Sequence, residues 1–141
     1  MQIPKWLSIV GFLAALVGFA DSAYLTAQHV RGILPPCGLA SQCDVVLTSA
    51  YSAIGPIPVA ALGVLYYGAI LVLLIAAVDS GARRPLQLAT WIIRIGMLST
   101  VYLIILQAFV LHAWCLYCLT SAAMTILLFL CSLRIARIQS Y

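Results

Sequence analysis

Four stretches of this chain stay apolar for the ~20 residues a helix needs to cross the hydrocarbon of a bilayer, and nothing else in it limits the fold so tightly. They run over about 6–28, 58–78, 86–110 and 114–133. Composition agrees: 65% of residues are hydrophobic and 7% charged, where a soluble domain carries about 25% charged residues. Mean hydropathy is +1.17. The expected fold is an all-α integral membrane protein, a bundle of four transmembrane helices forming one domain over 1–141. Pro58 and Pro85 fall at or just before helix starts, where a missing N–H costs little. Lys5 and the apolar run from Trp6 to Ala20 resemble the start of a secretory signal. No small-x-small cleavage site clearly follows, and the run continues through Tyr24-Leu25-Thr26-Ala27, so a retained first span is expected.

The net charge of +4 comes from seven Lys and Arg against three acids. A nucleic-acid partner would need a basic soluble face, and the sequence offers none. Basic residues report topology instead. Lys5, Arg83-Arg84, and Arg134 with Arg137 lie at ends that four spans bring to one side, which the positive-inside rule makes cytoplasmic, together with both termini. The loop of about 29–57 and the short turn Leu111-His112-Ala113 then face outward, with Arg31 their only basic residue. Cys37, Cys43, Cys115 and Cys118 all fall on that side of the cell membrane, where disulfides persist. Within the loop, Asp44 is suited to cap a short amphipathic helix whose Val45, Val46, Leu47 and Tyr51 lie on the membrane surface. Gly55-Pro56-Ile57-Pro58 turns the chain back, so the loop is expected to fold as a lid over the bundle mouth.

Cys115 and Cys118 stand in Cys-x-x-Cys spacing at the head of the fourth span. A disulfide across two residues closes so short a ring that it gains little loop entropy, which favours a reversible centre over a staple. A helix N-terminus lowers thiol pKa. Cys37 and Cys43 form a second pair in the loop, and exchange through mixed disulfides can pass electrons from one pair to the other. The competing use of four cysteines, a zinc site, needs all four thiolates on one ion, usually in a domain lacking a core; no metal is expected. A c-type haem is excluded, because Leu119 stands where histidine is required. An acceptor at membrane depth would be a lipid-soluble quinone, with Ser49 and Ser52 as candidates to bind its carbonyls. Cys131 is expected to pack in the fourth span, and His112 to be a solvated turn residue. Asp21 and Arg94 are costly at membrane depth and should face the bundle interior or water, Arg94 most simply by snorkelling to the cytoplasmic face.

Cys37 and Cys43, Ser49 six residues on, Gly-Pro-Ile-Pro before the second span with Gly63 and Tyr66 after it, and Trp-Cys-x-x-Cys opening the fourth span together resemble the vitamin K epoxide reductase family. The resemblance covers essentially the whole chain and is closest to the prokaryotic members. It implies a four-helix bundle enclosing a quinone beneath the loop. It also implies that Cys37 takes the mixed disulfide with a thioredoxin-fold partner, Cys43 shuttles to Cys115, Cys118 stands beside the quinone, and Ser49 lies near a quinone carbonyl. Ala122 occupies the position where the animal enzymes carry a tyrosine, a departure that bears against epoxide reduction more than against quinone reduction. The chain stops at Tyr141 without a thioredoxin-like domain, so the partner is expected to be a separate extracytoplasmic polypeptide.

The expected function is a membrane thiol oxidoreductase that oxidises this partner and reduces a ubiquinone- or menaquinone-type acceptor, supporting disulfide formation. Its rivals are a non-catalytic tetraspan scaffold, with or without zinc, and a thiol-reducing carrier running the opposite way. A bridge from Cys43 to Cys115 is as compatible with the sequence as two local pairs.

Overall fold

The computed structural model describes residues 3–36 and 43–140; Cys37 lies outside the described residues. In chain order the elements are α1 (Lys5–Arg31), α2 (Cys43–Leu47), β1 (Ala53–Ile54), β2 (Ile57–Pro58), α3 (Val59–Ser80), α4 (Arg83–Ile105, prolonged by a π-helical turn, Leu106–Val110) and α5 (Leu116–Ser140). Four of the helices are long and apolar enough to span a membrane, which is the all-α four-helix bundle expected.

Each span packs on two others: α1 and α4 both lie between α3 and α5. The core is layered along the bundle. Leu7, Leu86, Cys131 and Ile135 meet at one end, Ala14, Ala15, Tyr67, Ile70, Ile93 and Leu128 at the middle, and Cys43, Val46, Ala113 and Cys115 at the other end. The first layer joins the N-terminal turns of α1 and α4 to the C-terminal half of α5, so the spans run up and down alternately. Lys5, Arg83 and Arg84 therefore share the end opposite the layer that holds Cys43 and Cys115. Large apolar side chains such as Leu65, Leu98 and Phe109 are more than 70% exposed, which only a lipid surround makes tolerable.

Between lipid-embedded helices close packing, not a solvent-driven hydrophobic effect, holds the interface, and small residues permit it. Tyr66 and Tyr67 are consecutive on α3 and point about 100° apart. The Tyr67 ring fills the space a Cβ at Gly18 would take on α1, and the Tyr66 ring does the same at Gly96 on α4. The two rings meet edge to face at 4.8 Å. Deep in the bundle the Tyr67 hydroxyl donates to the Ser121 carbonyl at 2.7 Å and pairs with Ser121 Oγ and Thr125 Oγ1, each at 2.9 Å. One proton and two lone pairs are thus fully used, tying α3 to α5.

The segment before α3 differs from the expectation in two respects. Asp44 is not a cap; it is the second residue of α2, and Cys43 is the first. The chain then forms a hairpin, with Ala53 opposite Pro58 and Ile54 opposite Ile57. Its two-residue turn has Gly55 at φ 60°, a conformation that favours glycine, followed by the fixed φ of Pro56. Arg94 faces outward on α4, its guanidinium 5.3 Å from the centre of the Trp91 ring. That places it back over the preceding turn, towards the end holding the other basic residues, as snorkelling requires.

Gly18→Ala should lower stability by about 1–3 kcal/mol through overpacking against Tyr67, read as unfolding in mild detergent. Gly11→Ala, whose added methyl would meet only Leu74 Cδ1 at 3.9 Å, should leave it unchanged.

Candidate redox site

The site begins where α4 ends. Its last turn widens to a π turn, in which the Leu111 N–H reaches back to the Leu106 carbonyl at 2.8 Å. His112 then takes a left-handed φ of 49° and stays exposed, as a turn histidine should. Gln107, inside the π turn and 4% exposed, secures the descent into α5: its carbonyl accepts the Ala113 N–H at 3.0 Å and its Oε1 accepts the Cys115 N–H at 3.1 Å. Gln107 is not among the site residues expected from the sequence. The signal was present, since a lone amide side chain at the end of an apolar span has few partners in lipid.

Cys115 is not inside the fourth helix, as its spacing to Cys118 suggested, but immediately before it. Its carbonyl accepts the Leu119 N–H at 2.9 Å, and its sulfur accepts the Cys118 N–H at 3.4 Å. This is how an N-cap residue serves the first turn of a helix. The free first-turn amides of α5 are thus directed at Cys115. The thiol of Cys115 is accordingly held below its ordinary value, at about 7. The main cause is a hydrogen bond from the Cys118 thiol; the Cys118 and Tyr117 amides add to it, while burial and the Asp21 charge oppose it. Cys115, Cys118 and Cys131 are free thiols, whereas Cys43 is disulfide-bonded.

The lid covers this cap directly. Cys43 and Val46, one turn apart on α2, are buried in the same cluster as Ala113 and Cys115, with Leu47, Leu111, Tyr117 and Cys118 around them. Cys43 and Cys115 are 1% and 0% exposed. Val45 and Tyr51 point outward, so the expected amphipathic helix lays its buried face on the bundle mouth. The Tyr117 hydroxyl holds the start of the loop by donating to the Pro36 carbonyl at 2.7 Å, and its ring leans on Tyr24 of α1 at 5.6 Å. Ser49 is half-buried behind α2, and its hydroxyl donates to the Val46 carbonyl at 2.8 Å. Ser52 likewise donates to the Ser49 carbonyl at 2.8 Å.

Among the described residues three buried side-chain polar atoms have no hydrogen-bond partner: Asp21 Oδ2, Gln28 Oε1 and the Tyr66 hydroxyl. Each such atom costs about 1–3 kcal/mol unless a guest or water satisfies it. A separate groove of about 370 Å³ opens at the other end of the bundle, between Trp6, Leu7 and Val10 of α1 and Leu130, Cys131 and Arg134 of α5. Cys131 is thirteen residues beyond Cys118, about 20 Å along the helix, which is too far for that groove to exchange electrons with the thiol pair by contact. Cys131 itself packs with Leu7, Leu86 and Ile135.

A family model described as "Vitamin K epoxide reductase family" matches residues 9–133. A search of curated proteins gives no match.

Alkylation of Cys115 in the reduced protein should titrate near pH 7 and shift to higher pH in Cys118→Ala, which removes the principal hydrogen bond to its sulfur. Gln107→Leu should cost about 1–3 kcal/mol of stability, because the buried Cys115 N–H loses its acceptor.

Proposed function

The chain belongs to the vitamin K epoxide reductase family, a family of membrane thiol oxidoreductases linked to quinone, and on that premise we propose that it oxidises a separate extracytoplasmic thioredoxin-fold protein and passes the electrons to a membrane quinone. The observation that carries this reading is the burial of Cys43 and Cys115 in one cluster beneath the lid. A sulfur held in a disulfide and a thiol of lowered pKa on adjacent elements are the two partners of an exchange reaction. They also count against a four-thiolate zinc site, which would need Cys43 as a thiolate.

In the proposed sequence a thiolate of the reduced partner attacks Cys37 of a Cys37–Cys43 disulfide, and the partner's second thiol resolves the mixed disulfide. Cys43, now free, attacks Cys115 of a Cys115–Cys118 disulfide and expels Cys118. Cys37 closes on Cys43 again, leaving Cys115 and Cys118 reduced. Cys43 in a disulfide beside free Cys115 and Cys118 is the state this scheme reaches after one transfer. A bound quinone supplies a two-electron acceptor. Ser49 and Tyr66 would hold it by donating hydrogen bonds to its carbonyls, Ser49 by releasing its bond to Val46. Burial of Cys43 and Cys115 under α2 keeps bulky protein thiols from attacking Cys115 directly. The basic end, with Lys5, Arg83 and Arg84, faces the cytoplasm in this reading, and the lid faces the oxidising side.

The test is quinone reduction by purified protein, driven either by a reduced thioredoxin-fold protein or by a small dithiol. Cys43→Ala, Cys115→Ala and Cys118→Ala should each abolish turnover of the protein substrate. Cys37→Ala should lose the protein substrate but keep turnover of a small dithiol that reaches Cys115 directly. Wild-type rates in all four variants would remove the relay; stoichiometric zinc in the reduced protein would favour the scaffold.

A further inference from the structure

Reducing a quinone consumes two protons along with two electrons, and within the bundle few groups can handle a proton. Gly18, Asp21, Tyr24 and Gln28 recur on α1 at three- and four-residue steps and so share a face. Its direction is known from both sides of Asp21. One turn earlier, Gly18 receives the Tyr67 ring of α3. One turn later, the Tyr24 ring leans on Tyr117 of α5, and Gln28 donates to the Tyr24 hydroxyl at 3.1 Å. Asp21 therefore points between α3 and α5 at the level of the thiol pair, and its Oδ2 is buried there without a hydrogen-bond partner. Outside the spans, its negative charge opposes ionisation of Cys115. A lone carboxylate at membrane depth is costly and needs a use.

We propose that Asp21 is the proton carrier of this site: it takes the Cys115 thiol proton as the thiolate forms and delivers it towards the quinone as the Cys115–Cys118 disulfide closes. The inference rests on the quinone-linked reading above. The balance is complete without another reactant. Formation of the sulfur–sulfur bond releases one electron pair to the quinone. One proton comes from Cys118 and the other, originally that of Cys115, from Asp21, giving quinol, the disulfide and the carboxylate. The next reduced dithiol recharges Asp21.

Among the described residues the titratable groups facing Asp21 are Tyr67 from α3, Tyr117 and Cys118 from α5, Cys115 from the turn before it, and Tyr24 on α1 itself, and none of these is cationic. The Tyr67 proton is committed to the Ser121 carbonyl, which leaves the thiols as the proton source.

The test compares wild type with the isosteric Asp21→Asn and with Asp21→Glu, all purified in detergent. Two quantities are read: reduction of a short-chain ubiquinone driven by dithiothreitol, and the pH profile of iodoacetamide alkylation at Cys115, followed by peptide mass. Asp21→Asn should slow quinol formation about 10²-fold, the scale of a lost general acid–base group, and Asp21→Glu should recover most of it. In the same Asp21→Asn protein the Cys115 profile should move to lower pH, because the opposing carboxylate charge is gone. Exposure of Cys115 by disrupted packing would also ease thiolate formation, since burial opposes it; Asp21→Glu, which restores the carboxylate, should therefore return the profile to that of wild type. Wild-type quinol formation in Asp21→Asn, or an alkylation profile that stays put or moves to higher pH, overturns the proposal. If wild type itself fails to reduce the quinone, the proposed function falls. The alkylation profile still decides whether Asp21 and Cys115 are coupled.

Discussion

One hydrogen bond, from the Cys115 amide to the side chain of Gln107, determines how two membrane helices meet. Without it the chain between α4 and α5 would carry an unpaired N–H in a dry place, at a cost of about 1–3 kcal/mol. With it, α4 can stop in a π turn, the chain can reverse within a few residues, and Cys115 can stand in front of α5 as its cap. The cap position then decides the chemistry. A cysteine one residue further in would send its sulfur along the helix flank; in front of the helix its sulfur collects the first-turn amides. Structural economy and thiol activation thus come from the same junction, and π turns recur at functional sites for related reasons.

The rest of the bundle holds that junction still. Neighbouring tyrosines on α3 are seated in glycine sockets on different helices, which fixes the rotation of α3 about its own axis. The Tyr67 hydroxyl joins α3 to α5 two turns below the thiol pair. Tyr117, between the two cysteines in sequence, reaches α1 with its ring and the loop with its hydroxyl. Above this frame the described part of the lid contributes a short helix and a hairpin, and α2 buries Cys43 and Val46 against the bundle mouth.

Much of this was legible in the sequence because its signals are long or chemically distinctive. Runs of about twenty apolar residues admit little besides a span, and cysteines in close pairs have few roles. Other features rested on information no single stretch carries. Trp114 and Cys115 are as apolar as the helix they precede, and only the cap hydrogen bonds show where α5 begins. The hairpin has two residues per strand, too few for alternation to register. Gly18 and Gly96 look like ordinary small residues until the rings they receive are in place. Arg94 could have faced either way by composition; the Trp91 ring beside it and the direction of side chains along a helix account for its outward position.

Lys5, Arg83 and Arg84 lie at the end of the bundle opposite Cys43, Cys115 and Cys118, and α3 alone, at 22 residues, is about 33 Å long. On the proposed reading, thiols, quinone and proton carrier all belong to the outer part of that length. Electrons and protons would then travel together and on one side. Turnover would do almost no work against the membrane potential, which acts on net charge carried across the hydrocarbon. Such an enzyme would be neither driven nor braked by the energised state of the cell, and would answer to the redox states of the quinone pool and of its thiol partner.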